Sequence, residues 1–234
     1  MKKFLKKAWR VFLWLMAIGL GSSIFFVILY RFVNPPVTPL MVIRMIEQSS
    51  DNQPLKLRKN WVSLDKISPS MPLAVIASED NLFKEHHGFD MDAIEKAREY
   101  NLKKEGKKLR GASTISQQTA KNVFLWPQRS WIRKGLEVWF TVLIEWVWGK
   151  QRIMEVYLNV IETGKGIYGV EAASRAYFKK SASSLTRGEA ALIAAILPNP
   201  LKWNPVMPTA YLSGRQQWIL WNMGNMGPVN FLTR

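Results

Sequence analysis

Arg110-Gly-Ala-Ser-Thr-Ile-Ser-Gln-Gln-Thr-Ala-Lys-Asn122 crowds hydroxyl, amide and cationic side chains into one short run. Its pattern predicts a segment that opens as a loop and continues as helix to about Asn122. Upstream stands a second dense run, Glu79-Asp-Asn-Leu-Phe-Lys-Glu-His-His-Gly-Phe-Asp90, where carboxylates sit next to imidazoles. Ahead of it, Ser68-Pro-Ser-Met-Pro72 reads as a helix start capped by Ser70, so that a helix over 73–87 would carry Glu79. Donors suited to an anionic leaving group on one segment, and a carboxylate base on the other, are the equipment of glycosyl transfer from a phosphate-activated sugar.

Outward from these runs the chain reads as helices separated by prolines. Residues 41–48 predict a short helix and 49–54 a loop. Residues 98–110, rich in Lys and containing Gly106, predict an exposed mobile loop. After Pro127, Ser130 is placed to cap a long helix reaching Trp148. Further helices are expected over 150–160, 169–178, 186–197 and 209–223, with Pro198, Pro200, Pro205 and Pro208 breaking the region between the last two. No strand alternation of useful length and no internal repeat stands out, so the expected fold is mainly α.

The N-terminus is a different kind of sequence. Lys2, Lys3, Lys6, Lys7 and Arg10 precede residues 11–30, which carry no charge and are long enough to cross about 30 Å of hydrocarbon. Arg31 and Arg44 are the only cations soon after the span, so the positive-inside rule predicts a cytoplasmic N-terminus and an external remainder. A cleaved signal peptide is the rival reading, with Gly19-Leu-Gly21 as its cleavage site, but apolar sequence continues beyond it through residues 24–30. The expected organisation is a basic tail (1–10), an anchor (11–31), a proline-stiffened linker (32–44) and one catalytic domain (45–234). A net charge of +16 calls for an anionic partner: nucleic acid, anionic lipid or a phosphorylated substrate. The chain has no cysteine, which excludes a disulfide framework and a thiolate metal site.

Each chemical motif has a plain alternative. On a helix Glu79 would share a face with Phe83, and a carboxylate against apolar surface is the setting in which general bases are made; an ordinary solvated acidic pair is the alternative. His86 and His87 are adjacent and lack spaced partners, which favours a structural role over metal ligation. Lys121 is a point charge suited to phosphate. Arg129, Arg133 and Glu137 recur at intervals of four, so Arg could grip phosphate oxygens with Glu137 orienting it; a surface ion-pair ladder is the alternative. Trp126, Trp131, Trp139, Phe140, Trp146 and Trp148 cluster in one region, suiting a membrane–water interface, although Trp139 and Phe140 read better as core. Gly164-Lys-Gly-Ile-Tyr-Gly169 fits a dinucleotide fingerprint but lacks a convincing strand before it, and Ser63-Leu-Asp-Lys66 fits SxxK without ordered partners; both are set aside.

On these residues the chain resembles the peptidoglycan glycosyltransferases of glycosyltransferase family 51. EDxxFxxHxGxD is met by Glu79, Asp80, Phe83, His86, Gly88 and Asp90. RGxSTxxQQxxKN is met by Arg110, Gly111, Ser113, Thr114, Gln117, Gln118, Lys121 and Asn122. RKxxE appears as Arg133, Lys134 and Glu137, and KxxIxExYLN as Lys150, Ile153, Glu155, Tyr157, Leu158 and Asn159. The departures are Thr119 for an aliphatic residue and Met154 for Leu. The resemblance covers roughly residues 45–205, and with no penicillin-binding module in the chain it points to the monofunctional, anchored form.

The resemblance implies a lysozyme-like, mainly helical fold with a membrane-dipping hydrophobic subdomain. It implies lipid II as substrate, the growing glycan chain as donor and a lipid II sugar hydroxyl as acceptor. Glu79 and Glu137 take the catalytic positions, Glu79 as base. Ser113, Gln117, Gln118, Lys121, Asn122, Arg129 and Arg133 take the substrate-binding positions, the cations facing the departing pyrophosphate. No metal ligand and no cofactor is called for, and stimulation by Mg or Mn is left open. The implied setting is the bacterial inner membrane with the catalytic domain in the periplasm, and cell-division or elongation proteins are the candidate partners. A lytic enzyme on the same fold would need one catalytic Glu but no phosphate-gripping cluster. A non-catalytic lipid-binding protein would need basic charge without a placed Glu, and a nucleic-acid partner conflicts with the predicted topology.

Overall fold

Capping side chains and prolines divide the chain into helices in the computed structural model, which describes residues 2–51, 54–104, 111–227 and 231. Helix α1, Lys2–Phe32, is the one helix among the described residues long and apolar enough to cross a membrane, and of its side chains only Val27 is buried. The basic residues that open it are helical too, continuous with the apolar span. Helix α2, Pro39–Ser50, starts inside the stretch expected to be linker: Thr38 caps it by accepting from the Met41 amide, and Met41 is fully buried.

Helix α3, Ser70–Glu79, differs from expectation at both ends. Pro69 holds the cap position with no side-chain hydrogen bond, and the helix stops at Glu79, well short of His87. The stop has a long-range cause. Asp80 turns its carboxylate to the Ile115 amide at 2.9 Å and to His86 Nε2 at 2.8 Å, which pulls its backbone out of helical geometry. Glu79 and Phe83 therefore share no helix face; Phe83 enters the core and Glu79 stands at the helix end.

Helix α4, Met91–Lys103, replaces the first part of the loop expected over 98–110, because Asp90 caps it by accepting from Ala93 N at 2.8 Å. The rest of that expected loop, residues 105–110 with Gly106 and Arg110, lies outside the described residues. Helices α5 (Ile115–Phe124), α6 (Trp131–Val147) and α7 (Gly149–Val160) follow, α6 capped by Ser130 as its sequence predicts. The strands are too short to show alternation: β1 (Arg58–Lys59), which precedes α3, pairs parallel with β3 (Ile167–Tyr168), which pairs antiparallel with β2 (Glu162–Gly164) after α7. The set-aside glycine run is thus a hairpin, and Gly169 at φ +80° is needed because a Cβ there would lie 2.7 Å from the Asn159 carbonyl oxygen. Helix α8, Val170–Ala173, widens into a π turn over Ser174–Phe178. Helices α9 (Arg187–Ile196) and α10 (Ala210–Met226) start on the capping hydroxyls of Thr186 and Thr209.

The core forms around α3, whose residues from Met71 to Ala77 are all buried, as a helix apolar on every side requires. It packs against α9 and α10, and Ala190, Ala191, Ala194 and Ala195 keep the α9 face small enough for close approach. Leu73, Val75 and Ile76 each contribute about 1.5–3 kcal/mol by burial, so enlarging Ala194 to Leu would cost about 1–3 kcal/mol in displaced side chains. The second half of the core is α5 against α6 and α7.

The anchor is joined to this body. Trp139 Nε1 donates to Ser23 Oγ at 3.1 Å and Trp148 Nε1 to the Val27 carbonyl at 2.7 Å. Arg152, from α7, donates to the carbonyls of Tyr30 at 2.9 Å and Val33 at 3.1 Å, filling acceptors that the end of α1 leaves open. Phe140 and Trp148 are buried and Trp139 half-buried, whereas Trp131 and Trp146 stand 92% and 84% exposed on the same helix that packs along α1.

Candidate active site

Two adjoining clefts meet at Gln118. The larger, of about 1160 Å³, is lined by Glu79, Asp80, Ser113, Arg215 and Trp218 among others; the smaller, of about 240 Å³, is lined by Lys121, Asn122, Arg44 and Glu162. Thr114 lines the larger cleft. Its side chain accepts from Gln117 N while Gln117 Oε1 accepts from Thr114 N at 3.0 Å, a reciprocal cap that starts α5. Thr114 Oγ1 also donates to the Gly88 carbonyl at 2.7 Å, and the Asp80 carboxylate receives Ile115 N–H, so the two dense sequence runs are stitched together at the site. Burial pushes the Asp80 carboxyl up, with the Ile115 amide and His86 pulling the other way. His86 Nδ1 accepts from Gly88 N at 3.1 Å, which leaves Nε2 to carry the hydrogen given to Asp80.

Among the described residues, Glu79 is held by neutral donors and one cation. Gln118 Nε2 donates to Glu79 Oε2 at 3.0 Å, Ser78 Oγ donates to Oε1 at 3.1 Å, and Arg215 Nη2 lies 3.5 Å from Oε1. Tyr157 fixes the orientation of that amide. Complete burial, then the Glu79 and Asp80 charges, push its phenol well up, so it stays protonated and donates to Gln118 Oε1 at 3.2 Å. With its oxygen committed to Tyr157, Gln118 must present its NH₂ to the carboxylate.

Around the second carboxylate the arrangement is electrostatic. Glu137, 3% exposed, takes Arg133 Nη1 at 2.6 Å on one oxygen and Lys134 Nζ at 2.6 Å on the other. Lys121 from α5 faces the same group. Burial is the largest influence and lowers its ammonium below 10.5; Glu137 opposes this, while Arg133, Lys134 and Arg129 add to it. Arg133 and Lys134 thus pair with Glu137 while Lys121 and Arg129 lie in the same charged neighbourhood, and among the described residues the buried Arg133 Nε has no hydrogen-bond partner. A cluster with that imbalance is built to receive an anion.

The structure brings Lys121, Arg129, Arg133 and Glu137 together, with Arg129 exposed ahead of the Ser130 cap and so outside α6. Ser113 is exposed on the larger cleft and Asn122 buried at the smaller one, while the buried Gln117 spends its side-chain oxygen on the α5 cap. Thr119 satisfies its hydroxyl on the Ile115 carbonyl at 2.8 Å, and Met154 fills the core with a volume close to Leu, so neither departure disturbs the site. Among the described residues no group of His, Asp and Glu could hold a metal ion. Sequence reasoning missed Arg215, whose helix lies beyond the motifs, and Tyr157, visible only as a tyrosine in a motif; a buried polar partner for Gln118 was the signal available.

A mainly helical body carrying a cleft carboxylate beside a cationic cluster defines a transferase that handles a sugar with a phosphate leaving group. Residues 46–224 match the transglycosylase family, and the chain belongs to that family, whose mainly helical, lysozyme-like fold it shares. It is 59% identical over 199 residues to the biosynthetic peptidoglycan transglycosylase of Bdellovibrio bacteriovorus, a match covering 85% of this chain and 79% of that one. The proteins of the same name from Bacteroides thetaiotaomicron and Caulobacter vibrioides are 56% and 54% identical, each over 94% of this chain and over 86% and 93% of their own lengths.

Proposed function

We propose that the chain polymerises lipid II into β-1,4-linked glycan strands at the bacterial inner membrane, releasing undecaprenyl pyrophosphate, with Glu79 as the general base. The enzyme is an inverting peptidoglycan glycosyltransferase. In the proposed step the 4-hydroxyl of the acceptor lipid II attacks the anomeric carbon of the growing chain. Its proton passes to Glu79, the new C–O bond forms, and the old bond breaks with its electron pair leaving on pyrophosphate. Attack opposite the leaving group converts an α-linkage to β, which calls for a base on one side and cations on the other. Lys121, Arg129 and Arg133 serve the leaving side, with Glu137 orienting Arg133 and Lys134, and Ser113, Gln117, Gln118 and Asn122 shaping the donor contacts.

The observation that carries this reading is the surplus of cations over carboxylate around Lys121, next to a cleft that holds Glu79. A lytic enzyme has no need of that surplus. Residues 11–31 serve as the anchor, residues 1–10 lie in the cytoplasm, residues 32–44 connect, and 45–234 form the periplasmic catalytic domain, the orientation that the cations before the span favour. The test is detergent-purified protein incubated with labelled lipid II, wild type beside Glu79→Gln. Muramidase-sensitive polymer from wild type alone supports the reading; fragments released from preformed glycan, with no polymer, would replace it with a lytic one.

A further inference from the structure

The C-terminal helix α10 carries aromatic side chains that the reaction described above does not use. Tyr211 and Trp218 are 62% and 48% exposed, and both line the larger cleft with Glu79 and Ser113. They are seven residues apart, so they lie on one face of α10, about 10 Å apart along its axis. Between them Gly214 leaves open space, since a Cβ there would meet nothing within 4 Å, and Arg215, which lines the same cleft, reaches to Ser78 and Glu79. The Tyr211 ring is backed by Trp203 at 5.4 Å between centroids.

We propose that Tyr211 and Trp218 form an aromatic wall that stacks against alternate sugar rings of the saccharide held at Glu79. The proposal rests on the reading of Glu79 as the base that faces a sugar hydroxyl. A pyranose ring is amphipathic, with an apolar C–H face and a polar hydroxyl edge. The cleft offers both kinds of surface: rings from α10, and Asp92, Lys96 and Ser113 from other elements. The seven-residue spacing on α10 is about the length of one β-1,4-linked disaccharide repeat, so the two residues are placed to meet every second sugar, and the open notch at Gly214 lets the chain pass close to the helix backbone. Bilayer lipid is the competing occupant for exposed tryptophans. The residues suited to it, Trp131 and Trp146, sit on α6 beside α1, whereas α10 packs on α3 and α9. Sugar is therefore the occupant that this wall fits.

Steady-state kinetics with lipid II in detergent tests this, using Tyr211→Ala, Trp218→Ala and Trp218→Phe in the full chain. Each alanine variant is expected to raise KM about five- to tenfold and to lower kcat by less, with Trp218→Phe restoring most of the loss. A second measurement removes turnover: saturation-transfer NMR of a soluble tetrasaccharide of alternating N-acetylglucosamine and N-acetylmuramic acid on the Glu79→Gln protein. Contact to the sugar C–H protons is expected, and it should fall when Trp218→Ala is added. An unchanged KM with undiminished sugar contact would overturn the wall. So would a loss of vesicle partitioning in Trp218→Ala with KM intact, which would assign the ring to the membrane. If Glu79→Gln polymerises normally the underlying reading fails; if only the α10 variants are silent, the wall alone fails.

Discussion

Glu79 and Glu137 are the same side chain put to opposite uses. Glu79 ends a helix on a cleft wall, receives an amide and a hydroxyl, and among the described residues has one cation, at 3.5 Å. Glu137 lies in mid-helix, buried, with two cations at 2.6 Å. The first stands open to the cleft, where a substrate hydroxyl would have to arrive; the second is enclosed by the cations it pairs with. The difference teaches that a carboxylate at a helix end is left open to the cleft, while one packed in mid-helix is spent on its neighbours.

The sharpest way to break the contrast is Glu79→Gln. It should cut polymerisation by about 10²–10⁴ while leaving the melting temperature and membrane location unchanged; near-normal turnover would remove Glu79 from the base role. Glu137→Gln should cost about 10²–10³ in kcat and, unlike the first variant, also destabilise the fold by about 3 kcal/mol, read together by turnover and thermal melting. Arg215→Ala should lower kcat roughly two- to tenfold, because it removes a long contact to Glu79 and a hydrogen bond to Ser78 and leaves Gln118 in place. The mildest effect is on pH. The fold holds Lys121 below 10.5, so its ammonium is lost at lower pH than in an unfolded chain, and activity should fall on the alkaline side before pH 10.5. Lys121→Arg keeps its charge there and should move that alkaline limb upward in a pH–rate profile.

Helix starts were the most legible part of the sequence. Ser130 caps α6 as expected, and α9 and α10 begin just after Thr186 and Thr209, where helices are expected, since a cap is a contact made within three residues; Ser70, by contrast, is not the cap of α3. The end of α3 was not legible, because its cause is Ile115, far along the chain, drawing Asp80 out of the helix. Residues 98–103 were read as loop from their charge, whereas Asp90 and an Arg98–Glu95 pair carry the helix through them. The short strands escaped notice because two or three residues cannot display a period. At the site, the motif positions marked the right segments, yet only packing shows that Gln117 serves its own helix while Gln118 serves Glu79.

The bonds from Trp139, Trp148 and Arg152 to α1 have a consequence for how the protein searches. A domain on a loose tether would sample a hemisphere of orientations, and its cleft would meet the bilayer only part of the time. Here the bonds tie α1 to the body, so a membrane-held α1 would narrow the tilts open to the body and leave sliding in the plane and spin about the membrane normal as its freer motions.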